Sequence, residues 1–264
     1  MLEKILYRQG YLRDAAALAT AARQGLDVPI PSCPGWNMAT LLSHMIEMNA
    51  HRLGLVRRRP APFPMDDVAT WGVPTRFQEW FRGDRLAAGA APAGLAALYE
   101  ETTAELGVAL WSLDPTEPVS SWWEADQTAG FWQRRMAHET AVHRWDAQLA
   151  YGGPDPVEAD LASDGIDENF EVMLPSRRRR ATHPRQGGGE TYHFHRLDGP
   201  GEWLVRFAPE GPVVTREHAK GDVAVRGTAS DLLLFLWRRL SADQLEVFGD
   251  ADLLPRYFEL APPG

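Results

Sequence analysis

The sequence predicts an α+β protein in which a long helical region precedes a smaller region that mixes strands with helices. Two observations indicate this order. Before residue 156, apolar side chains recur every three or four positions in four long segments, as in amphipathic helices. After it, short strand-like segments separated by glycine replace that period. We expect two domains, a four-helix bundle at residues 1–155 and an α+β domain with a short antiparallel sheet at residues 156–264.

The bundle helices are bounded by residues that cap or break helices. The predicted helices span Leu2–Arg23, Met38–Arg57, Ala93–Leu113 and Phe131–Tyr151. Asn37 is a suitable N-cap for the second helix, and the proline-rich segment 28–36 before it is predicted to be a loop. A variable segment from Arg58 to about Pro92, with a short helix near Arg76–Phe81, is a candidate wall for a cleft.

The C-terminal region begins with a predicted helix at Val157–Leu174 and contains a second one from about Asp231 to Leu240, for which Thr228 or Ser230 is a candidate cap. Between them, four predicted strands cover Thr191–Leu197, Glu202–Phe207, Pro212–Thr215 and Asp222–Arg226. His193 and His195 alternate on the first strand and so share a face. The pattern supplies no third ligand beside them, and we assign them a surface role.

Composition excludes several classes of protein. The 264 residues carry a net charge of −9, which opposes general binding to nucleic acid or anionic lipid. The most apolar run, Leu232–Trp237, is far shorter than the ~20 residues of a membrane-spanning helix. The N-terminus lacks a continuous hydrophobic signal core, so we expect a cytoplasmic protein. Cys33 is the single cysteine, which excludes an internal disulfide and a metal site of several thiolates.

A pair of potential metal ligands lies in the fourth helix. Glu139 and His143 are four residues apart, which places them about 40° apart around the axis and one turn apart along it. His138 and His143 are five apart, so the zinc-protease motif, which needs a spacing of four, is rejected. A catalytic zinc usually has three protein ligands, and His44, on the core-facing stripe of the second helix, is the best third candidate. The alternative is a pair that merely stabilises the helix surface.

Several segments together resemble the mycothiol-dependent maleylpyruvate isomerase family, and the resemblance spans nearly the whole chain. They are Cys33–Trp36, His44, Arg135–Asp146 and Gly227–Leu234. The resemblance implies a DinB-like four-helix bundle that binds a divalent metal, usually zinc, followed by a smaller α+β domain. By motif position the ligands would be His44, Glu139 and His143. It also implies mycothiol as thiol cosubstrate and marks Cys33 as a structural element of its loop.

The resemblance implies an isomerase, or a thiol S-transferase, acting on a small electrophile such as a dicarboxylate. Carboxylates are bound well by guanidinium groups, and Arg239, then Arg82, are our candidates for this contact, with a surface role as the alternative for each. We expect no nucleic-acid or membrane partner, and a monomer or weak dimer. Two other functions stay open: a non-catalytic module that binds a small ligand, with a structural metal or none, and a hydrolase that acts through metal-bound water.

Overall fold

The computed structural model describes residues 2–59, 61, 68–71, 74–82 and 91–262. The chain divides into two compact units, one from Leu2 to Asp155 and the other from Pro156 onward. The first is helical, and the second combines a sheet with helices, so the predicted α+β fold class is confirmed. None of the helices in the described ranges has the length and hydropathy needed to cross a bilayer.

The described residues of the N-terminal unit form a bundle of four long α-helices, with one short α-helix packed beside them. These helices are α1 (Lys4–Ala22), α2 (Met38–Arg58), α3 (Thr75–Arg82), α4 (Leu95–Trp111) and α5 (Ala129–Leu149). α1 packs against α4 and α5, and α2 packs against the same two helices. The side chains of Leu18, Leu42 and Leu106 are fully buried, as expected for the apolar stripes that predicted these helices. Asn37 caps α2 as predicted, since its Oδ1 accepts the N–H of Thr40 at 2.9 Å.

Only part of the variable segment between α2 and α4 belongs to the described residues. The short helix expected near Arg76–Phe81 is present as α3. Residues 60, 62–67, 72–73 and 83–90 lie outside the described part of the chain. The expectation that this segment walls a cleft therefore stays a prediction.

The C-terminal unit contains a mixed sheet. Its described strands are β1 (Thr191–Arg196), β2 (Glu202–Ala208), β3 (Gly211–Thr215), β4 (Val223–Gly227) and β5 (Glu246–Gly249), in the order β3-β2-β1-β4-β5. Most neighbours are antiparallel, but β4 lies parallel to β1. This differs from the antiparallel sheet expected. After β3 the chain crosses to the far side of β1 instead of forming another hairpin, and β5, which the pattern did not predict, covers the outer edge of β4.

Helices accompany this sheet. They are α6 (Ala159–Glu168), α7 (Leu174–Arg180), α8 (Ala229–Leu236) and α9 (Leu253–Leu260), with a π-helical stretch at Asn169–Met173 that joins α6 to α7. Thr228 caps α8, because its Oγ1 accepts the N–H of Asp231 at 3.2 Å. α8 ends four residues before the predicted limit of Leu240, because Arg238 has a left-handed φ of 60° and the N–H of Arg239 bonds to the carbonyl of Leu234.

Candidate metal centre

The bundle brings His44, Glu139 and His143 together. His44 reaches from α2, and the other two lie one turn apart on α5. Nε2 of His44 lies 3.0 Å from Oε1 of Glu139, and Nε2 of His143 lies 3.5 Å from the same oxygen. One donor atom from each side chain falls within 4.8 Å of the other two. The side chain of His44 is 25% exposed, that of Glu139 is 20% exposed and that of His143 is 9% exposed, so the cluster contacts solvent mainly at His44.

These three side chains fit a divalent metal. Two imidazoles and one carboxylate are a donor set of catalytic zinc. Zinc bonds of about 2.0–2.2 Å at tetrahedral angles place donor atoms about 3.3–3.6 Å apart. The separations of 3.0 and 3.5 Å lie close to that spacing. Three ligands would leave one tetrahedral position for a further ligand. The role of these residues as ligands stays a prediction.

The surroundings of Glu139 favour its ionised form. Burial raises the pKa of this carboxyl, but the charge of Arg135 and hydrogen bonds from both imidazoles bring the pKa well below its usual range. Nη2 of Arg135 donates to Oε2 of Glu139 at 2.8 Å, so each carboxylate oxygen has a partner. Burial lowers the pKa of His44, an effect that Glu139 opposes only in part. His44 is therefore held as the neutral imidazole that metals bind.

His143 is oriented by Asp146. Nδ1 of His143 lies 2.9 Å from Oδ2 of Asp146, whose side chain is fully buried. Burial lowers the pKa of His143, but hydrogen bonds to Asp146 and Glu139, together with their charges, outweigh it and raise the pKa to about 9. A carboxylate has no proton to donate, so Nδ1 carries a hydrogen toward Asp146, and in the protonated ring Nε2 carries the second hydrogen, toward Glu139. Carboxylate–histidine pairs of this kind orient the ligands of many zinc sites.

The proline-rich loop before α2 covers the two imidazoles. The ring of Trp36 stacks on that of His143 at 6.2 Å and 16°, and lies 5.3 Å from the ring of His44. Oγ of Ser32 donates to Oδ1 of Asp146 at 2.5 Å, and Sγ of Cys33 lies 3.6 Å from Oδ2. Asp146 thus connects the loop to α5. Sγ of Cys33 lies close enough to donor atoms of His143 and Asp146 for these three to form a second candidate ligand group, and the structural role that the resemblance gave Cys33 stays a prediction.

Arg135, Asp146 and Trp36 lay within the quoted motifs, but sequence reasoning gave them no part in the site. Two of them could have been found from spacing. Arg135 precedes Glu139 by four residues and Asp146 follows His143 by three, so both lie on the helix face of the ligands. No periodic signal points to Trp36, because its position depends on the path of a loop.

Comparison with known families agrees with this architecture. Residues 9–148 match the family model described as "Mycothiol maleylpyruvate isomerase N-terminal domain", and residues 160–256 match the model "MDMPI C-terminal domain". The chain belongs to the mycothiol-dependent maleylpyruvate isomerase family.

Two crystal structures of a mycothiol-dependent maleylpyruvate isomerase, one of them a histidine-to-alanine mutant, share the fold of this family member. Each has a TM-score of 0.61 and covers 93% of both chains, at 14% identity and, for the mutant, 13%. No curated protein gives a significant match. At this identity the two structures show a shared fold, and the expected family resemblance is confirmed by the family models.

The two arginines proposed for substrate binding lie in different units of this family member. Arg239 follows α8 in the C-terminal unit and lines a cleft of about 790 Å³ together with Arg238. Nη1 of Arg239 donates to the carbonyl of Trp237 at 2.9 Å. Arg82 is the exposed last residue of α3, and its Nη2 donates to Oε1 of Gln78 at 3.2 Å. Binding of a substrate carboxylate by either stays a prediction.

Proposed function

We propose that this family member is a cytoplasmic, divalent-metal-dependent enzyme that uses mycothiol to isomerise, or to conjugate, a small electrophilic dicarboxylate. Zinc is the metal we expect. The observation that carries this proposal is that the side chains of His44, Glu139 and His143 lie close together and next to the ring of Trp36. They do so in a chain that matches both domain models of the isomerase family. A donor set with room for one more ligand suits an enzyme that takes its thiol from outside.

Each side chain around the site has a part in this proposal. When bound there, a divalent cation would lower the pKa of a coordinating thiol and favour the nucleophilic thiolate. Glu139, kept ionised by Arg135, contributes the negative charge of the ligand set. Asp146 fixes the tautomer and ring orientation of His143. Trp36 packs against both imidazoles and helps to hold their rings in place.

The proposed reaction begins with addition of the mycothiol thiolate to one carbon of a C=C bond that is conjugated to a carbonyl group, so that a C–S bond forms and the π electron pair moves to the carbonyl oxygen as an enolate. The former double bond then rotates as a single bond, and elimination of the same thiolate restores the C=C bond with the opposite geometry. The enolate pair re-forms the C=C bond as the C–S bond breaks, so no atom is gained or lost and the thiolate is regenerated. If the adduct instead takes up a proton, the product is a thioether, which would be conjugation. The mass of the product distinguishes the two outcomes.

The proposal is tested with untagged protein, maleylpyruvate and either mycothiol or a cysteine derivative that lacks its sugar portion. We expect isomerisation that depends on both mycothiol and bound metal, and calorimetric binding of mycothiol in preference to the truncated thiol. Binding without turnover would instead favour the non-catalytic module. Turnover that persists without any thiol would favour hydrolysis by metal-bound water and contradict the proposal.

For substrate binding we propose Arg239 as the first carboxylate anchor and Arg82 as the second. A hydrogen bond to a charged group contributes about 1.5–3 kcal/mol, so Arg239→Ala should raise the KM for the dicarboxylate about tenfold or more with a smaller change in kcat. Steady-state kinetics at saturating mycothiol measures both constants. Arg239→Lys is the matched control and should show a smaller increase, because it keeps the charge but loses paired hydrogen bonding. An unchanged KM in Arg239→Ala would exclude this role, and the same assay with Arg82→Ala tests the second candidate.

A further inference from the structure

Four side chains with metal-binding atoms meet on the sheet of the C-terminal unit. His193 and His195 lie on β1, Glu202 begins β2, and His218 lies in the segment between β3 and β4. The carboxylate of Glu202 contacts all three imidazoles: Nε2 of His193 at 2.6 Å, Nδ1 of His195 at 2.6 Å and Nδ1 of His218 at 3.1 Å. One donor atom from each of the four lies within 4.8 Å of the others.

The sheet explains why these residues converge. The two strand histidines are two positions apart and so point to the same face. Antiparallel pairing places Glu202 directly opposite His195. We assigned a surface role to His193 and His195 because the strand pattern showed no third ligand beside them. Glu202 and His218 come from other segments of the chain, so that pattern could not reveal them. The side chain of His193 is only 7% exposed, so this face is not simply a solvated surface.

The segment that carries His218 is also held in place by contacts of Arg216. Arg216 forms an ion pair with Asp167 of α6, and its guanidinium lies 5.6 Å from the ring centre of Trp203. Nε1 of Trp203 donates to the same carboxylate, Oδ1 of Asp167, at 2.7 Å. Arg216, which makes the first two of these contacts, precedes His218 by two residues. The contacts limit the positions that His218 can sample, which lowers the entropic cost of bringing a fourth ligand to the cluster.

We propose that His193, His195, Glu202 and His218 form a second metal site that binds a divalent first-row transition ion such as Zn²⁺. Imidazole nitrogens are the usual ligands of such ions, whereas Ca²⁺ and Mg²⁺ need more oxygen ligands than one carboxylate supplies. Four protein ligands fill a tetrahedral shell, which is typical of structural zinc sites. The ion would fasten the segment between β3 and β4 to the β1–β2 face. His218, whose side chain is 76% exposed, is the ligand that closes the site.

The test uses the full chain with its purification tag removed, titrated with Zn²⁺ by calorimetry and with Co²⁺ by visible absorption. We expect the double variant His195→Ala/His218→Ala to bind one metal equivalent fewer than the wild type, because binding at the C-terminal site becomes at least a hundredfold weaker. Glu202→Gln, which keeps a hydrogen-bonding side chain, should weaken the same site. His183→Ala, which removes an exposed histidine elsewhere in this unit, is the matched control and should bind as the wild type does.

This result is separable from the metal proposed for the bundle. The variant His44→Ala/His143→Ala should still bind one metal ion at the site in the C-terminal unit. If the bundle binds no metal, the wild type should bind a single ion, and His195→Ala/His218→Ala should lose it. Zn²⁺ should also raise the Tm of the His44→Ala/His143→Ala protein, and the two further substitutions should remove that rise while the circular dichroism spectrum is unchanged. Unchanged stoichiometry and affinity in His195→Ala/His218→Ala would overturn the proposal and leave a hydrogen-bonded cluster without an ion.

Discussion

Replacing His143 with alanine should remove one equivalent of bound metal and abolish mycothiol-dependent turnover at the same time. The substitution deletes one of three proposed ligands and leaves the cation with His44 and Glu139 alone. Loss of a mere supporting partner of a ligand costs about 10- to 100-fold in metal affinity, and loss of a ligand itself should exceed that. Metal analysis after dialysis and a thiol-dependent activity assay measure the two losses separately.

The fold of the His143→Ala variant should survive. Alanine has the highest helix propensity, so α5 is not weakened by the new residue, and the helical circular dichroism signal should be largely retained. The matched control is His138→Ala on the same helix. His138 is buried with its ring edge-to-face on Tyr7 at 6.0 Å, and it is not part of the cluster. His138→Ala should keep the metal content. If His143→Ala keeps it too, His143 is not a ligand.

The four long bundle helices and the start of α8 were predictable because their signals are local, whereas α9 was not predicted and the single helix expected at Val157–Leu174 is interrupted by a π-helical stretch. A repeating apolar stripe marks a helix wherever it lies, and the caps Asn37 and Thr228 fix its first turn through hydrogen bonds to residues three positions away. The i, i+4 spacing of Glu139 and His143 is local in the same sense. His44 could be added because a residue on a buried stripe must face another helix of the bundle.

Features that depend on distant segments were not predictable in this way. The parallel pairing of β1 with β4 follows from a crossover that strand patterns do not encode. The cluster around Glu202 required both the register of β2 against β1 and the path of the segment that carries His218. Trp36 reaches the site through loop geometry, where Gly35 has a φ of 84° that favours glycine. A sequence marks which residues have metal-binding chemistry, whereas tertiary contacts decide which of them meet.

Replacing Asp146 with asparagine should change the pH dependence of metal binding more than it changes the fold. In the metal-free wild type the pKa of His143 is raised to about 9, from an ordinary value of 6.5. A metal must displace that proton, so the apparent affinity for Zn²⁺ should increase about tenfold per pH unit up to the raised pKa and then level off. Without the Asp146 charge the pKa falls, and the plateau should begin at a lower pH.

The same carboxylate also makes the imidazole a better ligand, so Asp146→Asn should bind Zn²⁺ about 10- to 100-fold more weakly on the plateau above the pKa of His143. At acidic pH the difference should shrink, because the wild type must release a more tightly held proton. Zinc titrations from pH 6 to 9.5, followed in protein lacking the His195 and His218 side chains, measure both effects at the bundle site alone.

Stability of the metal-free protein provides an independent check with a defined sign. A folded-state pKa of about 9 for His143, above 6.5, stabilises the fold fully below 6.5 and loses that contribution as pH rises toward 9. Asp146→Asn should therefore flatten the decline in Tm across this interval. Ser32→Ala is the matched control, since it removes a hydrogen bond to Asp146 while leaving its charge beside His143. If Asp146→Asn gives the same zinc and Tm profiles as Ser32→Ala and the wild type, Asp146 does not set the basicity of His143.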